Sequence, residues 1–335
     1  MKEIKIFLIF ISPLFIGWFA LFLGAYKISP FLIIKILIDN TFHIFHLNNT
    51  PENAIVIDIR LPRVLLAGLV GIALSCTGAV LQGIFRNPLI DPYILGISSG
   101  AAFGCAITIG FLGFIPLQVN AFIFAVLAVF LTYSIAKIHG EITKLSLILS
   151  GIIVSAFFTA LVSIIKFLVD PHKLQAIVYW IMGSFSLADW SKVKVALIGI
   201  SIGIIPLYFM RWRLNVISMG EEEAKALGVD VKKERLLFIG FSTLAVATAT
   251  SVSGIIGWVG LMVPHLVRMV VGPDHKLLIP LSATAGASFM IIADTLARSL
   301  TTFDIPVGII TALTGAPFFV YLMKYKSKEV WGKHA

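Results

Sequence analysis

The chain has 335 residues, and their composition excludes a water-soluble globular protein. Apolar residues make up 59% of the sequence, charged residues 13%, and the mean hydropathy is +1.00. A soluble domain is about 45–50% apolar and about 25% charged, so this chain lacks the polar surface that a globule of its size needs. The net charge of +9 does not indicate nucleic-acid binding, because polytopic membrane proteins collect basic residues in their cytoplasmic loops.

Charge-free apolar runs predict an all-α integral membrane protein with ten transmembrane helices in a single domain over residues 1–335. A helix needs about 20 apolar residues to cross about 30 Å of hydrocarbon. The first run is too long for a signal peptide and has no small-residue cleavage site behind it, so we expect it to remain as the first span. The predicted spans lie near 6–26, 64–85, 93–112, 117–136, 145–165, 195–210, 236–253, 255–271, 277–297 and 305–323.

Two apolar stretches do not fit a single span. Residues 236–271 are too long for one helix and slightly short for two, and glycines from Gly254 to Gly260 interrupt them. We therefore predict two short spans that meet at these glycines. Residues 174–188 form an apolar run that is too short to cross the bilayer, which favours a short helix at the outer interface.

The basic residues predict how the chain is oriented. With the amino terminus in the cytoplasm, most of the 26 Lys and Arg residues fall on the cytoplasmic side, as the positive-inside rule requires. Both termini are then cytoplasmic. Of the two largest polar segments, 27–63 lies outside and 211–235 lies inside.

The sequence contains no pattern that indicates catalysis or metal binding. Cys76 and Cys105 fall inside apolar runs without partners at metal-ligand spacing. His43 and His46 lie close together in the outer segment but have no third ligand, which favours solvated surface. No HExxH, paired-carboxylate or GxxxxGK[ST] arrangement occurs. We expect a non-enzymatic chain that binds neither a metal nor a nucleotide.

Asp294 is the only acid within a predicted span, and a buried ionisable group there is a candidate for function. Arg298 follows four residues later, on the same face of a helix, so the two residues can form an intramembrane ion pair. The alternative is a proton relay, which would make the chain a proton- or sodium-driven secondary transporter that uses Asp294.

The inner segment from Met219 to Asp230 has the pattern of a short amphipathic helix outside the membrane. Its three glutamates suit the positive end of the helix dipole, and Gly228 suits a left-handed helix terminus. Ala224 and Leu227 form a small apolar stripe. This pattern indicates a docking element for another protein, and a solvated connector is the alternative.

Separated short motifs through most of the chain resemble the signature of one family. They are Arg60–Arg63, Gly78–Gln82, Asn87–Leu89, Pro92–Ala101, Tyr179–Ser184, Gly220–Val229, Gly257–His265, Ala293–Asp294 with Arg298, and Pro306–Pro317. This series resembles the FecCD-type permeases, which are the membrane subunits of type II ABC importers for iron-siderophores, haem and cobalamin.

The resemblance implies a transporter with separate partners. Members of the family have ten spans with both ends in the cytoplasm, and two copies enclose one translocation path. A cytoplasmic ATP-binding subunit supplies the energy and binds ATP and Mg, while an extracytoplasmic binding protein delivers the substrate. The resemblance therefore implies no cofactor in this chain.

The resemblance also assigns roles to individual residues. The family's binding-protein docking arginines fall at Arg60, Arg63 and Arg298, although Arg60 and Arg63 could instead anchor a helix end at the headgroups. The ATPase coupling helix falls on Gly220, Glu221, Glu222, Glu223, Ala224, Leu227 and Gly228. The inner gate falls on Asn87, Leu89, Lys144 and Leu145. At these last two positions a member of the family has small polar residues, whereas this chain has Lys144 and Leu145.

Overall fold

The computed structural model describes residues 2–24, 26–42, 50–138, 141–301 and 303–325, and this part of the chain is almost entirely helical. His43 and His46 and the carboxyl-terminal residues from 326 onward lie outside the described residues. A short antiparallel hairpin pairs β1 (Lys137–Ile138) with β2 (Glu141–Ile142). The α-helices are α1 (Lys2–Phe22), α2 (Pro30–Phe42), α3 (Pro51–Ala54), α4 (Leu61–Phe85), α5 (Ile97–Gly110), α6 (Leu117–Ala136), α7 (Lys144–Leu168), α8 (Pro171–Ile181), α9 (Trp190–Met219), α10 (Glu221–Ala226), α11 (Val231–Ser253), α12 (Val259–Val271), α13 (His275–Ser299) and α14 (Val307–Tyr325).

Within the described residues, seven helical stretches are long and apolar enough to cross a membrane. They are Glu3–Phe22, Pro51–Phe85, Leu117–Ala136, Lys144–Leu168, Trp190–Met219, Val231–Ser253 and His275–Ser299. Three further apolar helical stretches are shorter, namely Ile97–Gly110, Val259–Val271 and Val307–Leu322. The protein is therefore a multi-pass membrane protein, while the count of ten transmembrane helices stays a prediction.

Several helices extend beyond the bounds that charge-free runs predict. The helix predicted from residue 64 begins at Pro51, because a π-helical turn over Ile55–Arg60 joins α3 to α4 without a break. Helix α9 carries charged residues at both ends of its apolar middle, and the Asp189 carboxylate caps it by accepting from Lys192 N at 2.8 Å. Charged residues mark where a helix leaves the hydrocarbon, whereas its helical hydrogen bonding continues past them.

The structure describes the two apolar stretches that do not fit a single span. The stretch over residues 236–271 is divided into α11 and α12 by a non-helical segment that begins at Gly254, whose φ is 72°. Tyr93 Oη accepts a hydrogen bond from Ile256 N in this segment at 3.4 Å. Helix α8, at the predicted interfacial position, has 11 residues and is too short to span.

Helix α4 lies at the centre of the bundle. It packs against α9, α11, α12 and α13. An apolar 18-residue stretch within Pro51–Phe85 is 83% buried inside the bundle. Glycines allow the backbones to touch, because a Cβ at Gly71 would lie 2.2 Å from Gly286 O and a Cβ at Gly78 would lie 1.9 Å from Gly260 O. Helices in lipid associate by such close packing rather than by a hydrophobic force between them.

We predict that Gly78→Ala destabilises the protein by about 2–3 kcal/mol, because the new methyl group would push α12 away from α4. Gly240→Ala on α11 is the matched control, since a Cβ there meets nothing within 4 Å and the change should be neutral. Thermal unfolding in detergent would test both variants. Equal stability of the two variants would contradict the close contact.

Candidate functional site

The start of α4 and the last turns of α13 are joined by a buried arginine that bridges two carboxylates. Arg63 Nε donates to both oxygens of Asp294 at 2.9 and 3.0 Å, and its Nη1 donates to Asp304 Oδ2 at 2.7 Å. The side chain of Asp294 is 1% exposed and that of Asp304 is 33% exposed. This guanidinium therefore holds α4, α13 and the loop after α13 together.

Two further arginines connect the same region to the end of α1. Arg60 Nη1 donates to Leu21 O at 2.7 Å, and its Nη2 donates to Tyr26 O. Arg298 donates to Ala20 O from the opposite side. Both arginines are buried. Arg60 and Arg298 satisfy carbonyl groups where α1 ends. With Arg63 they form a polar cluster at the end of the bundle that is predicted to face outward, which we call the outer arginine cluster (Arg60, Arg63 and Arg298).

The ion pair predicted between Asp294 and Arg298 is present, and the structure adds Arg63 to it. Arg298 Nε lies 3.7 Å from Asp294 Oδ2, whereas Arg63 makes the close hydrogen bonds, although it is far away in sequence. The docking role expected for Arg60, Arg63 and Arg298 requires guanidinium groups that reach a partner. Here all three are buried and bonded within the chain, and docking remains a prediction.

At the opposite end of α4, the loop that follows the helix is fixed by its own side chains. Arg86 ends α4 in a left-handed conformation with φ 54°, which is uncommon for a residue other than glycine. Its Nε donates to Ser218 O, in the last turn of α9, at 3.0 Å. Asn87 Oδ1 accepts from Leu89 N at 2.9 Å. Asp91 Oδ1 accepts from Tyr93 N at 2.8 Å, and burial raises the pKa of this carboxyl to about 6.

Gln82 connects this loop with α12. Its Nε2 lies 3.3–3.4 Å from the carbonyl oxygens of Ile90, Gly260 and Leu261, and its Oε1 accepts from Arg268 Nη2 at 2.9 Å. The side chain is buried. A buried amide with partners on two elements fixes their relative position, because leaving it unpaired is costly.

The segment expected to couple to an ATPase forms the short helix α10 between α9 and α11. Its carboxyl end is closed by Gly228, which has φ 77°, and by a hydrogen bond from Val229 N to Ala224 O at 2.9 Å. The carboxylate of Glu221 pairs with Arg235 on α11, and Arg235 Nη1 donates to Ile142 O at 3.0 Å. These contacts tie α10 to α11 and to the β-hairpin.

The predicted apolar stripe on α10 is wrong in one respect. Ala224 is fully buried against the rest of the chain, whereas Leu227 is 62% exposed. The two residues are one turn apart but lie on different sides of the segment's surface, since the helix ends at Ala226 and Leu227 follows it. Leu227 and the exposed glutamates Glu221, Glu222 and Glu223 remain available to a partner, and Ala224 packs inside.

Helix α10 and part of the expected gate line one cavity of about 640 Å³. Arg86, Lys144 and Arg235 share it with Gly220 and the three glutamates of α10. Leu89 is 43% exposed and Leu145 is 66% exposed. The structure therefore brings Lys144 beside α10, at the end of the bundle where Asn87 and Leu89 lie.

Comparison with known proteins assigns the family. Residues 11–325 match the family model described as the FecCD transport family. The chain belongs to the FecCD family. Members of this family are transport subunits of ABC importers rather than enzymes, and they work with ATPase and binding-protein partners.

Relatives within the FecCD family carry different substrate names. A probable iron chelatin transport system permease of Helicobacter pylori is 45% identical over 80% of this chain and 82% of its own length. A molybdate import system permease of Haemophilus influenzae is 42% identical over 83% of each chain. A solved ABC transporter, described as of the metal-chelate type and inward-facing, is 38% identical with a TM-score of 0.84 over 96% of this chain and 99% of its own.

Three residues in these sites were not singled out by the sequence analysis. Asp304 lies in a loop beside the predicted last span, and nothing in its spacing indicates a bond to Arg63. Gln82 and Arg86 belong to the family-like motifs, but their partners Gly260, Leu261 and Ser218 are far along the chain. A buried amide within an apolar run was the one available signal for Gln82.

We predict that Arg63→Met lowers stability by about 3–5 kcal/mol, because it leaves the buried Asp294 carboxylate without its close partner. Adding Asp294→Leu should recover at least half of the loss, since it removes the unpaired charge. Unfolding midpoints of the single and double variants in detergent give the answer. Additive losses would mean that the two side chains are not energetically coupled.

Proposed function

We propose that this chain is the membrane-spanning permease of a binding-protein-dependent ABC importer that moves a bulky metal chelate into the cytoplasm. A separate ATPase subunit would bind ATP and Mg and supply the energy, so this chain would need no cofactor of its own. The observation that supports the proposal is the exposed α10, which shares one cavity with Lys144 of the expected gate and with Arg86. That placement would give an external subunit access to the gate.

The substrate class rests on two relatives. The Helicobacter pylori permease is named for an iron chelatin, and the solved transporter is described as of the metal-chelate type. The relative named for molybdate makes a small oxyanion the second candidate. Binding of ferric chelates, haem, cobalamin and molybdate to the cognate binding protein would separate them, because that partner selects the cargo.

The proposed mechanism is a shift between outward-open and inward-open states. Movement of α10 would pass to the loop after α4 through the Arg86–Ser218 bond and to α11 through the Glu221–Arg235 pair. Asn87 and Leu89 lie in that loop, so the gate would respond to the ATPase. A ligand shifts such an equilibrium only by binding one state more tightly than the other, as the nucleotide-bound ATPase would.

We propose that two copies enclose the path in the cell membrane, with both termini in the cytoplasm. The basic residues near the inner loops support this orientation. The outer arginine cluster would then face the binding protein. Because its guanidinium groups are bonded to carbonyl and carboxylate groups, docking would require an exchange of some of these contacts for acidic groups of the partner.

Reconstitution tests the proposed function against a secondary transporter driven by protons or sodium. With its ATPase and binding protein in liposomes, the chain should transport only when ATP is supplied. A proton or sodium gradient alone should be ineffective in the isolated chain. The bonds from Arg63 to Asp294 make that carboxylate poorly placed to exchange protons, so Asp294→Asn should lower stability without changing the energy source. Gradient-driven uptake would overturn the proposal.

We predict that Leu227→Asp lowers ATP-dependent transport at least tenfold, because a charge on this exposed residue would disturb the ATPase contact. Fold stability should not change. Leu187→Asp is the control, since Leu187 is 75% exposed and precedes α9 at the opposite end. Transport and ATPase association should be measured together. Full coupling in the Leu227 variant would remove α10 from the ATPase interface.

We predict that association with the binding protein weakens as ionic strength rises, and that Arg60→Gln reduces this salt dependence. Arg60 is the test residue because its two hydrogen bonds in the structure go to neutral carbonyl groups. Binding kinetics in nanodiscs at several salt concentrations give the result. An unchanged salt dependence together with a lower unfolding temperature would make Arg60 a helix anchor only.

A further inference from the structure

An apolar groove of about 450 Å³ runs between α6 and α11 on the surface of the bundle. Val126, Phe130 and Tyr133 form one wall, and Leu236 and Leu244 belong to the other. Phe130 is 65% exposed and Leu236 is 49% exposed. Both helices are candidate membrane spans, so the groove faces hydrocarbon rather than water.

The middle of the groove contains a notch. Gly240 lies one helical turn from both Leu236 and Leu244, and a Cβ at this position would meet nothing within 4 Å. The wall from Leu236 to Leu244 is about 12 Å long at the rise of an α-helix. This length is close to the hydrocarbon depth of one leaflet, about 15 Å, which suits one acyl chain rather than a helix that crosses the whole membrane.

Positive charge collects at one end of this groove. Lys233 lies four residues before Leu237 on α11, and positions four apart share a helix face. Its neighbour Lys232 lines the cavity that holds the glutamates of α10. Lys137 directly follows the end of α6, and both Lys137 and Lys233 are exposed. The hydrogen bond from Arg235 Nη1 to Ile142 O at 3.0 Å shows that the start of α11 adjoins the hairpin that follows α6.

We propose that this groove is a binding site for an anionic phospholipid. One acyl chain occupies the notch at Gly240, and the phosphate lies between the ammonium groups of Lys137 and Lys233. The same end of the bundle carries α10, and the cytoplasmic leaflet, on which α10 would lie, is the one rich in anionic lipids. A zwitterionic lipid offers the same chain but no net charge.

Lipid binding at this site would affect α10, the proposed coupling segment. This effect does not depend on which substrate is transported. Helix α11 begins at Val231, five residues after α10 ends at Ala226. A lipid that bridges Lys137 and Lys233 therefore stabilises the start of α11, next to α10, against α6. Anionic lipid would stabilise this end of the bundle by binding it, and the effect would scale with lipid concentration.

Native mass spectrometry of the purified chain tests the site with phosphatidylglycerol and phosphatidylcholine of identical acyl chains. We expect phosphatidylglycerol to bind more tightly to the wild type. Lys137→Gln with Lys233→Gln should weaken it about fivefold per lysine, or about 25-fold together, and leave phosphatidylcholine unchanged. Lys276→Gln with Lys324→Gln is the matched control, because both of these lysines are exposed at the same end but outside the groove.

A second variant tests the acyl chain separately. Gly240→Leu fills the notch and should reduce binding of both lipids, with no change in the unfolding temperature of the delipidated chain. Equal losses from the two lysine pairs would show general charge attraction and overturn the site. An unchanged lipid count in Gly240→Leu would also overturn it. If that variant instead alters the oligomeric mass, the groove belongs to an interface between copies.

Discussion

The architecture depends on direct backbone contact between α4 and its neighbours. Gly71 meets Gly286 of α13, and Gly78 meets Gly260 of α12, at distances that no larger residue could keep. Since lipid offers no hydrophobic force to press helices together, this contact area is the main source of attraction between them. The close approach also brings Gln82 within reach of two carbonyl groups of α12. This places a buried, hydrogen-bonded amide beside the loop that follows α4.

Much of the fold follows from the sequence, because hydropathy reports which segments enter lipid. The interrupted stretch at Gly254 and the short α8 could both be recognised from run length and glycine position. Helix ends were harder to predict. The charged residues of α9 and the segment from Pro51 to Arg60 look like loops when charge is counted, yet backbone hydrogen bonding continues the helix through them. Capping and tertiary contacts decide such boundaries.

The sequence predicted where the candidate functional residues lie better than it predicted which residues they contact. The helix period placed Asp294 beside Arg298, but the carboxylate turns to Arg63, which reaches it from another helix. Similarly, the pattern of α10 could not distinguish the buried Ala224 from the exposed Leu227, because local periodicity fails where a short helix ends. Pairings between distant segments depend on how the helices assemble, and one sequence does not encode them in any local pattern.

The continuous helix from Pro51 to Phe85 has a mechanical consequence. Its 35 residues span about 52 Å, roughly 20 Å more than the hydrocarbon core. It carries Arg60 and Arg63 roughly a third of the way from Pro51 and adjoins Arg86 at its other end, so a single rod connects the outer arginine cluster with the loop beside α10. The π-helical turn at Ile55–Arg60 is the place where this rod can bend. A tilt of α4 by about 10° around Phe85 would move Leu61 by about 6 Å, while the bend would let the tip from Pro51 to Ala54 stay in place.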